Sequence, residues 1–260
     1  MTRIDAQATA LTRARYQRLS AIYDFMEGMA EFRYRPWREK LWAQVKGLAT
    51  SAGLVRRLST AEGLRVLEVG VGTGKNMPYW PKDVPMTAID LTPGMLAAAE
   101  RRAQRLGLAA DLRLGDVQAL DFPDGGFDAA LATFVFCSVP DPVLGLRELK
   151  RVVKPGGQLL LLEHVRSAHP RLGALMDFVN PLVVRLMGAN INRRTVENVR
   201  AAGWRIERVE DLGMGASSNL SRPGQGVEIQ AGQTAGEHAK WRIEKSGRLS
   251  KISSVGLSAE

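Results

Sequence analysis

Short apolar blocks alternate along the chain with longer stretches of mixed polarity. The blocks predict strands near residues 64–70, 85–90, 110–115, 127–133 and 157–163, and the stretches between them predict helices. An N-terminal helical region, about residues 11–50, precedes the first strand. Because strands and helices alternate, we expect an α/β fold, a doubly wound and mainly parallel sheet with helices on both faces.

The pattern changes toward the C-terminus. A last helix is expected near 195–203 and a strand at 204–212, whereas residues 214–260 are rich in Ser, Gly and Gln and are expected to be poorly ordered or divergent. Within that tail, residues 227–230 are a weak candidate for a short edge strand. We therefore divide the chain into an N-terminal helical lid (1–60), a core (61–213) and a tail (214–260).

Three glycines at alternate positions, Gly70, Gly72 and Gly74, follow the first strand. Glycine permits positive φ and removes the Cβ atoms that would keep a ligand from the backbone. The dinucleotide motif G-x-G-x-x-G is not met, because Lys75 occupies its sixth position. Glu68, inside the strand, would repel a pyrophosphate and attract a cation. The loop therefore predicts a nucleoside cofactor that carries positive charge.

Two further carboxylates follow the next two strands. Asp90 comes 20 residues after Gly70, the separation at which an acidic residue reaches a ribose diol. Asp116 follows the third strand. Thr92 is placed to cap the helix after Asp90, with Gly107 as its end. A glycine loop and acids after successive strands predict a pocket for an adenosine that bears a positive centre.

These motifs occur in the same order in the class I S-adenosylmethionine-dependent methyltransferases, which the chain resembles over about residues 10–213. The matching segments are Glu68-x-Gly-x-Gly-x-Gly74, Ile89-Asp90, Gly115-Asp116, 122–128 and 149–157. Residues 134–142 and 162–165 are most similar to the lipid and small-molecule branch, which includes quinone-biosynthesis enzymes, bacterial phosphatidylethanolamine N-methyltransferases and membrane-associated thiol methyltransferase-like proteins. The resemblance implies a Rossmann-like methyltransferase fold and S-adenosylmethionine as cofactor. The chain departs from the class in showing no clear closing antiparallel strand after residue 213.

The resemblance and the motif positions together assign the cofactor contacts. Asp90 is expected at the ribose, Asp116 at the adenine amine, Thr133 and Ser138 at the methionine part, and Tyr16 or Tyr23 over the cofactor. The full set is Tyr16, Glu68, Gly70, Val71, Gly72, Gly74, Asn76, Asp90, Leu91, Met95, Asp116, Val117, Thr133 and Ser138.

Methyl transfer from a sulfonium is an in-line displacement, so alignment and desolvation supply most of the acceleration. A base is needed only when the acceptor is protonated, as an ammonium is. The candidate bases are His164, Tyr23 and a water held by Glu163, although a lone histidine is often a hydrogen-bonded structural residue. No Cys/His cluster with metal-ligand spacing and no P-loop occurs in the sequence, so no metal is expected.

Two segments bear on the acceptor. The first has apolar residues at Ile22, Phe25, Met26, Met29, Phe32, Trp37, Leu41, Val45 and Leu48, and basic residues at Arg33, Arg35, Arg38 and Lys40. Such a helix suits a membrane interface, and the alternative is a packed lid with its arginines in water. The second, residues 170–188, follows the fifth strand and is expected to overhang the pocket mouth with an apolar acceptor site. The candidate substrate contacts are Arg35, Met176, Asn180 and Arg194.

Composition limits the possible classes without deciding among them. The 260 residues carry a net charge of +9, and the single Cys137 excludes an intramolecular disulfide. No stretch of about 18 apolar residues that could span a bilayer is present, and the N-terminus lacks the apolar core of a signal peptide. A cytoplasmic protein, with peripheral contact to an anionic membrane at its inner face, is expected.

The preferred hypothesis is a methyltransferase that acts on a lipophilic small molecule or a lipid headgroup, with phosphatidylethanolamine-type amines first. Quinone precursors and thiols are the alternatives. The basic charge would also suit an RNA or DNA methyltransferase, but residues 133–140 lack the Asn/Asp-Pro-Pro-aromatic motif of enzymes that methylate DNA amino groups. A non-catalytic cofactor-binding module is disfavoured because the loop and acids are intact.

Overall fold

The computed structural model describes residues 4–56, 63–167, 169–212, 226–233, 241–243 and 249–251. Two helices come first, α1 (Ala6–Leu19) and α2 (Tyr23–Arg56). The central elements are β1 (Val66–Val69), a 3₁₀ helix (Met77–Tyr79), β2 (Met86–Asp90), α3 (Pro93–Leu106), β3 (Ala110–Leu114), β4 (Phe127–Thr133), α4 (Pro142–Val152) and β5 (Val153–His164). The later elements are α5 (Pro170–Met187), α6 (Thr195–Ala201), β6 (Arg205–Asp211), β7 (Gly226–Gly232), β8 (Trp241–Ile243) and β9 (Leu249–Lys251).

Seven strands form one sheet in the order β3-β2-β1-β4-β5-β7-β6, and β8 pairs with β9 separately. The first five of these are parallel to one another, whereas β7 is antiparallel to both β5 and β6. The predicted α/β fold with a mainly parallel sheet is therefore confirmed. Its consequence for function is that the carboxyl ends of β1 to β5 meet at one edge.

Each face of the sheet buries a separate apolar layer. One layer joins the sheet to α4 and α6 through residues such as Leu146, Leu149 and Val199. The other packs Leu41 and Trp42 of α2 against the opposite face. Complete burial of a side chain of this size contributes about 1.5–3 kcal/mol, so α2 is part of the core.

Local sequence sets the ends of the helices around the cofactor loop. Thr92 is the N-cap of α3, and Gly107 ends that helix with φ of +63°. Asp141 caps α4, because its side chain accepts a hydrogen bond from the Leu144 amide at 2.9 Å. Both helices therefore begin just after the strand ends that face the ligand edge.

The expectation of an edge strand at residues 227–230 is wrong. β7 lies inside the sheet, with β5 on one side and β6 on the other. Ile229 and Ala231 are buried, and Glu228 is buried as well, with Oε1 accepting from the Gln44 side chain of α2 at 2.6 Å. A polar residue in the middle of a buried strand weakened the sequence signal. The closing antiparallel strand is present.

The expectation of a continuous apolar stripe on α2 is also wrong. Phe25 and Phe32 are 77% and 81% exposed, whereas Trp37, Leu41 and Val45 are buried. The five-residue step from Phe32 to Trp37 turns the helix by about 140°, so the two sets lie on different faces. The side chains of Met26 and Met29 lie outside the described part of the structure.

The sequence predicts that the basic residues of α2 lie at a membrane interface or in water. For Arg38 this expectation is wrong, because its side chain is buried and faces the core. Among the described residues, no helix has both the length and the apolar character needed to cross a bilayer.

Candidate functional site

A cleft opens at the carboxyl ends of β1, β2 and β4, beneath α1. It holds about 730 Å³ of space between atoms, a volume that includes its open mouth. Its lining consists of Thr12, Tyr16, Tyr23, Gly70, Gly72, Ile89, Asp90, Leu91, Thr92, Met95, Gly115, Asp116, Val117, Thr133, Phe134, Val135, Ser138, Val139 and Pro140.

Asp90 joins the glycine loop to the end of β2. Its Oδ2 accepts a hydrogen bond from the Gly72 amide at 2.9 Å, and its Oδ1 accepts one from the Thr92 amide at 2.8 Å. Burial raises the pKa of this carboxyl, while the two amides oppose the rise. Gly72 has φ of +56°, and a Cβ placed there would meet no atom within 4 Å. The loop backbone is therefore open to a ligand beside Asp90.

Asp116 is held from behind by Gln118. The Gln118 amide nitrogen donates to Asp116 Oδ1 at 2.9 Å, and the Gln118 side chain reaches Oδ2 at 3.1 Å. The same side chain donates to Thr9 of α1 and accepts from the Asp141 amide. Asp116 is thus oriented at the cleft by a residue that also contacts the helix above it.

Tyr16 covers the cleft from α1. Its hydroxyl is hydrogen-bonded to the Ser138 hydroxyl at 2.5 Å, and its ring centre is 6.4 Å from that of Tyr23. Burial, followed by the neighbouring Cys137, raises the pKa of Tyr16 above its ordinary value. Tyr16 therefore remains a neutral phenol at physiological pH.

Glu68 does not line the cleft. Its carboxylate accepts hydrogen bonds from Asn76 Nδ2 at 2.6 Å and from Trp80 Nε1 at 2.7 Å. Burial raises the pKa of Glu68 to about 7, against the effect of these two donors and of Arg38. Asn76 Nδ2 also reaches Thr133 Oγ1 at 3.1 Å. Glu68 and Asn76 thus support the loop from behind, as Asn76 links it to β4.

The predicted bases occupy different environments. Tyr23 lines the cleft. Glu163 is fully buried at the end of β5, where Oε1 accepts from the Val135 and Phe136 amides at 2.8 and 3.0 Å, and burial raises its pKa to about 7. Glu163 therefore orders the loop that follows β4.

His164 is separated from the cleft by an aromatic side chain. Its ring stacks on Phe134 with centres 4.4 Å apart, and Phe134 itself lines the cleft. Phe134 has φ of +56°, the one positive value among the non-glycine residues that the structure describes. Such backbone strain is typical of functional loops, so it supports including the segment after β4 in the candidate site.

The four candidate substrate contacts do not converge on this cleft. Arg35 is exposed and paired with Glu39 at 2.9 Å. Met176 is a buried residue of α5, and its sulfur accepts a hydrogen bond from the Ser167 amide. Asn180 Oδ1 accepts a hydrogen bond from the Ile191 amide. Arg194 precedes α6, and its side chain is exposed.

Ten of the fourteen predicted cofactor contacts line the cleft, and Glu68, Val71, Gly74 and Asn76 do not. The sequence patterns did not identify the following cleft residues as cofactor contacts: Thr12, Ile89, Thr92, Gly115, Phe134, Val135, Val139 and Pro140. Thr12 stands one helical turn before Tyr16, a spacing that could have indicated it. The 134–140 segment follows the carboxyl end of β4, as ligand-binding loops of parallel sheets do.

Taken together, the cleft offers two carboxylates, an exposed glycine backbone, two phenols and an apolar wall. Carboxylates at the ends of β2 and β3 suit a ribose and an amine-bearing base, and phenols with an apolar wall suit a less polar group. The donor set fits a nucleoside ligand with a positive centre.

Comparison with known proteins agrees with this chemistry. A family model described as a methyltransferase domain matches residues 67–161. Phosphatidylethanolamine N-methyltransferase of Cereibacter sphaeroides is 42% identical over 106 residues, 40% of this chain and 52% of that protein. Demethylmenaquinone methyltransferase of Renibacterium salmoninarum is 34% identical over 141 residues, 54% of this chain and 56% of that protein. The chain thus spans about half the length of the curated relatives it matches.

The fold has counterparts among solved structures. A methyltransferase from Thermotoga maritima, described as a possible histamine N-methyltransferase, superposes with a TM-score of 0.59 and 20% identity, covering 86% of this chain and all of that one. At this identity the likeness concerns the fold alone.

Proposed function

Because residues 67–161 form a methyltransferase domain of the class I S-adenosylmethionine-dependent type, we propose that this protein methylates a lipophilic acceptor, with the amine headgroup of phosphatidylethanolamine as first candidate. The observation that carries the choice of acceptor is the 42% identity to a phosphatidylethanolamine N-methyltransferase. S-adenosylmethionine is the cofactor.

The described residues fit this cofactor. Asp90 would accept from the ribose hydroxyls, and Asp116 would accept from the adenine amine. Gly72 leaves the backbone open beside Asp90, and Gly70 lets Val135 approach the loop closely. Tyr16 and Ser138 cover the far side of the cleft. The bound cofactor supplies an electrophilic methyl group on a sulfonium sulfur.

The protein's own contribution is to align the acceptor and assist its deprotonation. An ethanolamine headgroup is an ammonium near neutral pH and must lose a proton before it can act as a nucleophile. Tyr23 lines the cleft, and its hydroxyl oxygen is our candidate to accept a hydrogen bond from the ammonium while the proton passes to solvent water. Glu163 is engaged by backbone amides and His164 lies behind Phe134, so both act as positioning residues in this proposal.

An acceptor embedded in a bilayer requires the cleft to approach a membrane. Helix α1 carries Arg13, Arg15 and Arg18 and no acidic residue. A Cβ at Gly188, which ends α5, would lie 3.4 Å from Arg15, so the two helices are neighbours. Helix α5 exposes Leu175, Phe178 and Leu182 at 54%, 82% and 60%. We propose that this surface of α1 and α5, here called the α1–α5 face, contacts anionic lipid.

A quinone precursor is the second candidate, because the likeness to demethylmenaquinone methyltransferase covers more of this chain, 54% against 40%. Both acceptors are amphiphilic and would use the same approach. They differ in the nucleophile, an amine in one and a ring carbon in the other.

Methyl transfer from labelled S-adenosylmethionine tests the proposal. The protein is incubated with vesicles of phosphatidylethanolamine and phosphatidylglycerol, with the same vesicles carrying demethylmenaquinone, with an alkyl thiol and with RNA. We expect label in the phosphatidylethanolamine. Label in the quinone alone would favour the second candidate, and cofactor binding without transfer to any acceptor would support a non-catalytic module.

A further inference from the structure

The buried cation Arg38 contacts two of the loops beside the cleft. Its side chain is 4% exposed, and Nη1 donates to Asn76 Oδ1 at 2.7 Å, at the end of the glycine loop. Its guanidinium also lies 5.7 Å from the centre of the Phe134 ring, in the loop after β4. One charged side chain of α2 thus contacts the loops after β1 and β4.

Glu68 is the buried anion opposite Arg38. Asn76 stands between the two charges, with Oδ1 toward Arg38 and Nδ2 toward Glu68, and this Nδ2 also reaches Thr133 of the cleft wall. The other carboxylate that faces Arg38 is Glu31, with Oε1 at 3.8 Å from Nε. Because charges in a protein interior are weakly screened, a charge behind the cleft wall changes the electrostatic potential inside the cleft.

We propose that Arg38 and Glu68, joined through Asn76, act as opposing charges behind the cleft wall, and that their balance sets the relative affinity for S-adenosylmethionine and S-adenosylhomocysteine. The proposal rests on the proposed function, since it concerns the cofactor and its product. The two ligands have nearly the same shape, and the sulfonium gives the first one additional positive charge. When Arg38 and Glu68 are both charged, their effects on the positive charge of S-adenosylmethionine largely cancel.

Charge and structure make different predictions for the same substitutions. If Arg38 and Glu68 only stabilised the loops, their loss would weaken the binding of both ligands by the same factor. If their charges act on the cleft, removal of the Glu68 charge alone weakens the binding of S-adenosylmethionine selectively. Removal of both members restores the balance, even where each affinity is lower.

Calorimetry at pH 8.5, above the pKa of Glu68 of about 7, measures the ratio of the two dissociation constants. We expect Glu68→Gln to raise the ratio of S-adenosylmethionine to S-adenosylhomocysteine by about three- to tenfold, as a charge at ~10 Å in a partly screened interior predicts. The double variant Arg38→Gln/Glu68→Gln should return to within about twofold of the native ratio. Glu100→Gln, an exposed change of the same charge on α3, is the control and should not move the ratio.

Equal weakening of both ligands by Glu68→Gln, or a double variant with the same ratio as Glu68→Gln, overturns the proposal. Thermal unfolding checks each variant for folding. If Glu68→Gln does not fold, Arg38→Lys and Arg38→Gln replace it, since the first keeps the charge and the native ratio and the second lowers the ratio. Identical ratios in that pair also reject the idea. A native protein that bound neither ligand would instead count against the proposed function.

Discussion

Tyr16 on α1 and Ser138 in the loop after β4 are joined by a hydrogen bond of 2.5 Å between their hydroxyls. No residue of helix α1 is completely buried, and Tyr16 is partly buried, so the position of the helix depends on polar contacts of this kind. Gln17, which accepts from the Gly94 amide, and Thr9, which accepts from Gln118, supply two others. A cover held by a few polar contacts can open at low cost in free energy, which suits a site that must exchange its cofactor.

Tyr16→Phe should speed cofactor release, because it removes this bond and leaves the ring in place. A neutral hydrogen bond contributes about 0.5–1.5 kcal/mol, so we expect S-adenosylhomocysteine to dissociate about two- to tenfold faster. Stopped-flow fluorescence measures the rate. Tyr79→Phe, which removes a hydroxyl outside the cleft, is the control, and an unchanged rate in Tyr16→Phe would contradict the role of the bond.

Asp90→Ala should weaken the binding of S-adenosylmethionine by about ten- to a hundredfold, because a charge-assisted contact to the ribose contributes about 1.5–3 kcal/mol. The variant also leaves the Gly72 and Thr92 amides without their acceptor. Calorimetry checks the affinity, with the exposed Asp83→Ala as control. Unchanged affinity, or tight binding of NAD to the native protein, would show that the cofactor role of Asp90 is wrong.

Asp116 should make the site prefer adenosine over inosine. The adenine amine donates to a carboxylate, whereas inosine presents a carbonyl oxygen that a carboxylate repels. We expect S-inosylhomocysteine to bind at least tenfold more weakly than S-adenosylhomocysteine, and Asp116→Asn to reduce that preference. Competition binding measures both, with the exposed Asp111→Asn as control. Equal affinity of the two ligands for the native protein would remove Asp116 from the adenine site.

Glu163→Gln should change how stability depends on pH. Burial raises the folded-state pKa of Glu163 to about 7 from the ordinary 4.5, so the folded state binds this proton more tightly than the unfolded state. The resulting stability is complete below about pH 4.5 and is lost as pH rises to about 7, a change of about 3 kcal/mol. Glutamine at this position removes that loss, and Oε1 can still accept from Val135 and Phe136.

Urea unfolding from pH 4.5 to 8 measures the effect of Glu163→Gln. The free energy of unfolding of the native protein should fall faster with pH than that of the variant. Part of the slope should remain, because Glu68 has the same kind of shift. Glu197→Gln, at an exposed position, should follow the native curve. Parallel curves for native protein and Glu163→Gln would refute the prediction.

The α1–α5 face should bind anionic vesicles in a salt-dependent way. Replacement of Arg13, Arg15 and Arg18 by Gln should reduce binding by about a hundredfold at low ionic strength, since each basic residue near the surface contributes about 1 kcal/mol. Replacement of Leu175, Phe178 and Leu182 by Ser should weaken it at every salt concentration. Sedimentation with vesicles of increasing phosphatidylglycerol content measures both.

A matched control uses exposed apolar residues elsewhere. Leu106, Leu114 and Val209 are 44%, 50% and 45% exposed, and their joint replacement by Ser should leave vesicle binding unchanged. If the control and the α5 variant lost binding equally, or if binding ignored lipid charge, the α1–α5 face would not be the membrane contact.

The parts of the site that the sequence predicted correctly depend on local spacing. Gly70, Gly72, Asp90 and Asp116 each lie at or just after the carboxyl end of a parallel strand. Such ends meet at one edge of the sheet whatever the rest of the chain does. The sequence could therefore place these residues together without knowing any contact.

The parts that it did not predict depend on contacts between distant residues. Arg38 looked like one of several surface cations, and its burial depends on partners that include Asn76, 38 residues away along the chain. Glu68 belongs to the same motif as the glycines, but whether its carboxylate faces a ligand or the interior depends on Trp80 and α2. The register of β7 likewise requires two partners that local pattern does not reveal.

The position of β7 also bears on folding during translation. During synthesis β5 and β6 leave the ribosome before residues 226–232, so for a time neither strand has the neighbour that later lies between them. The Leu159–Leu162 stretch of β5 then offers an open hydrogen-bonding edge and an apolar surface to other nascent chains. Protection during translation, by slow elongation or by a chaperone, therefore matters most for the interval between the emergence of Asp211 and that of Gly232.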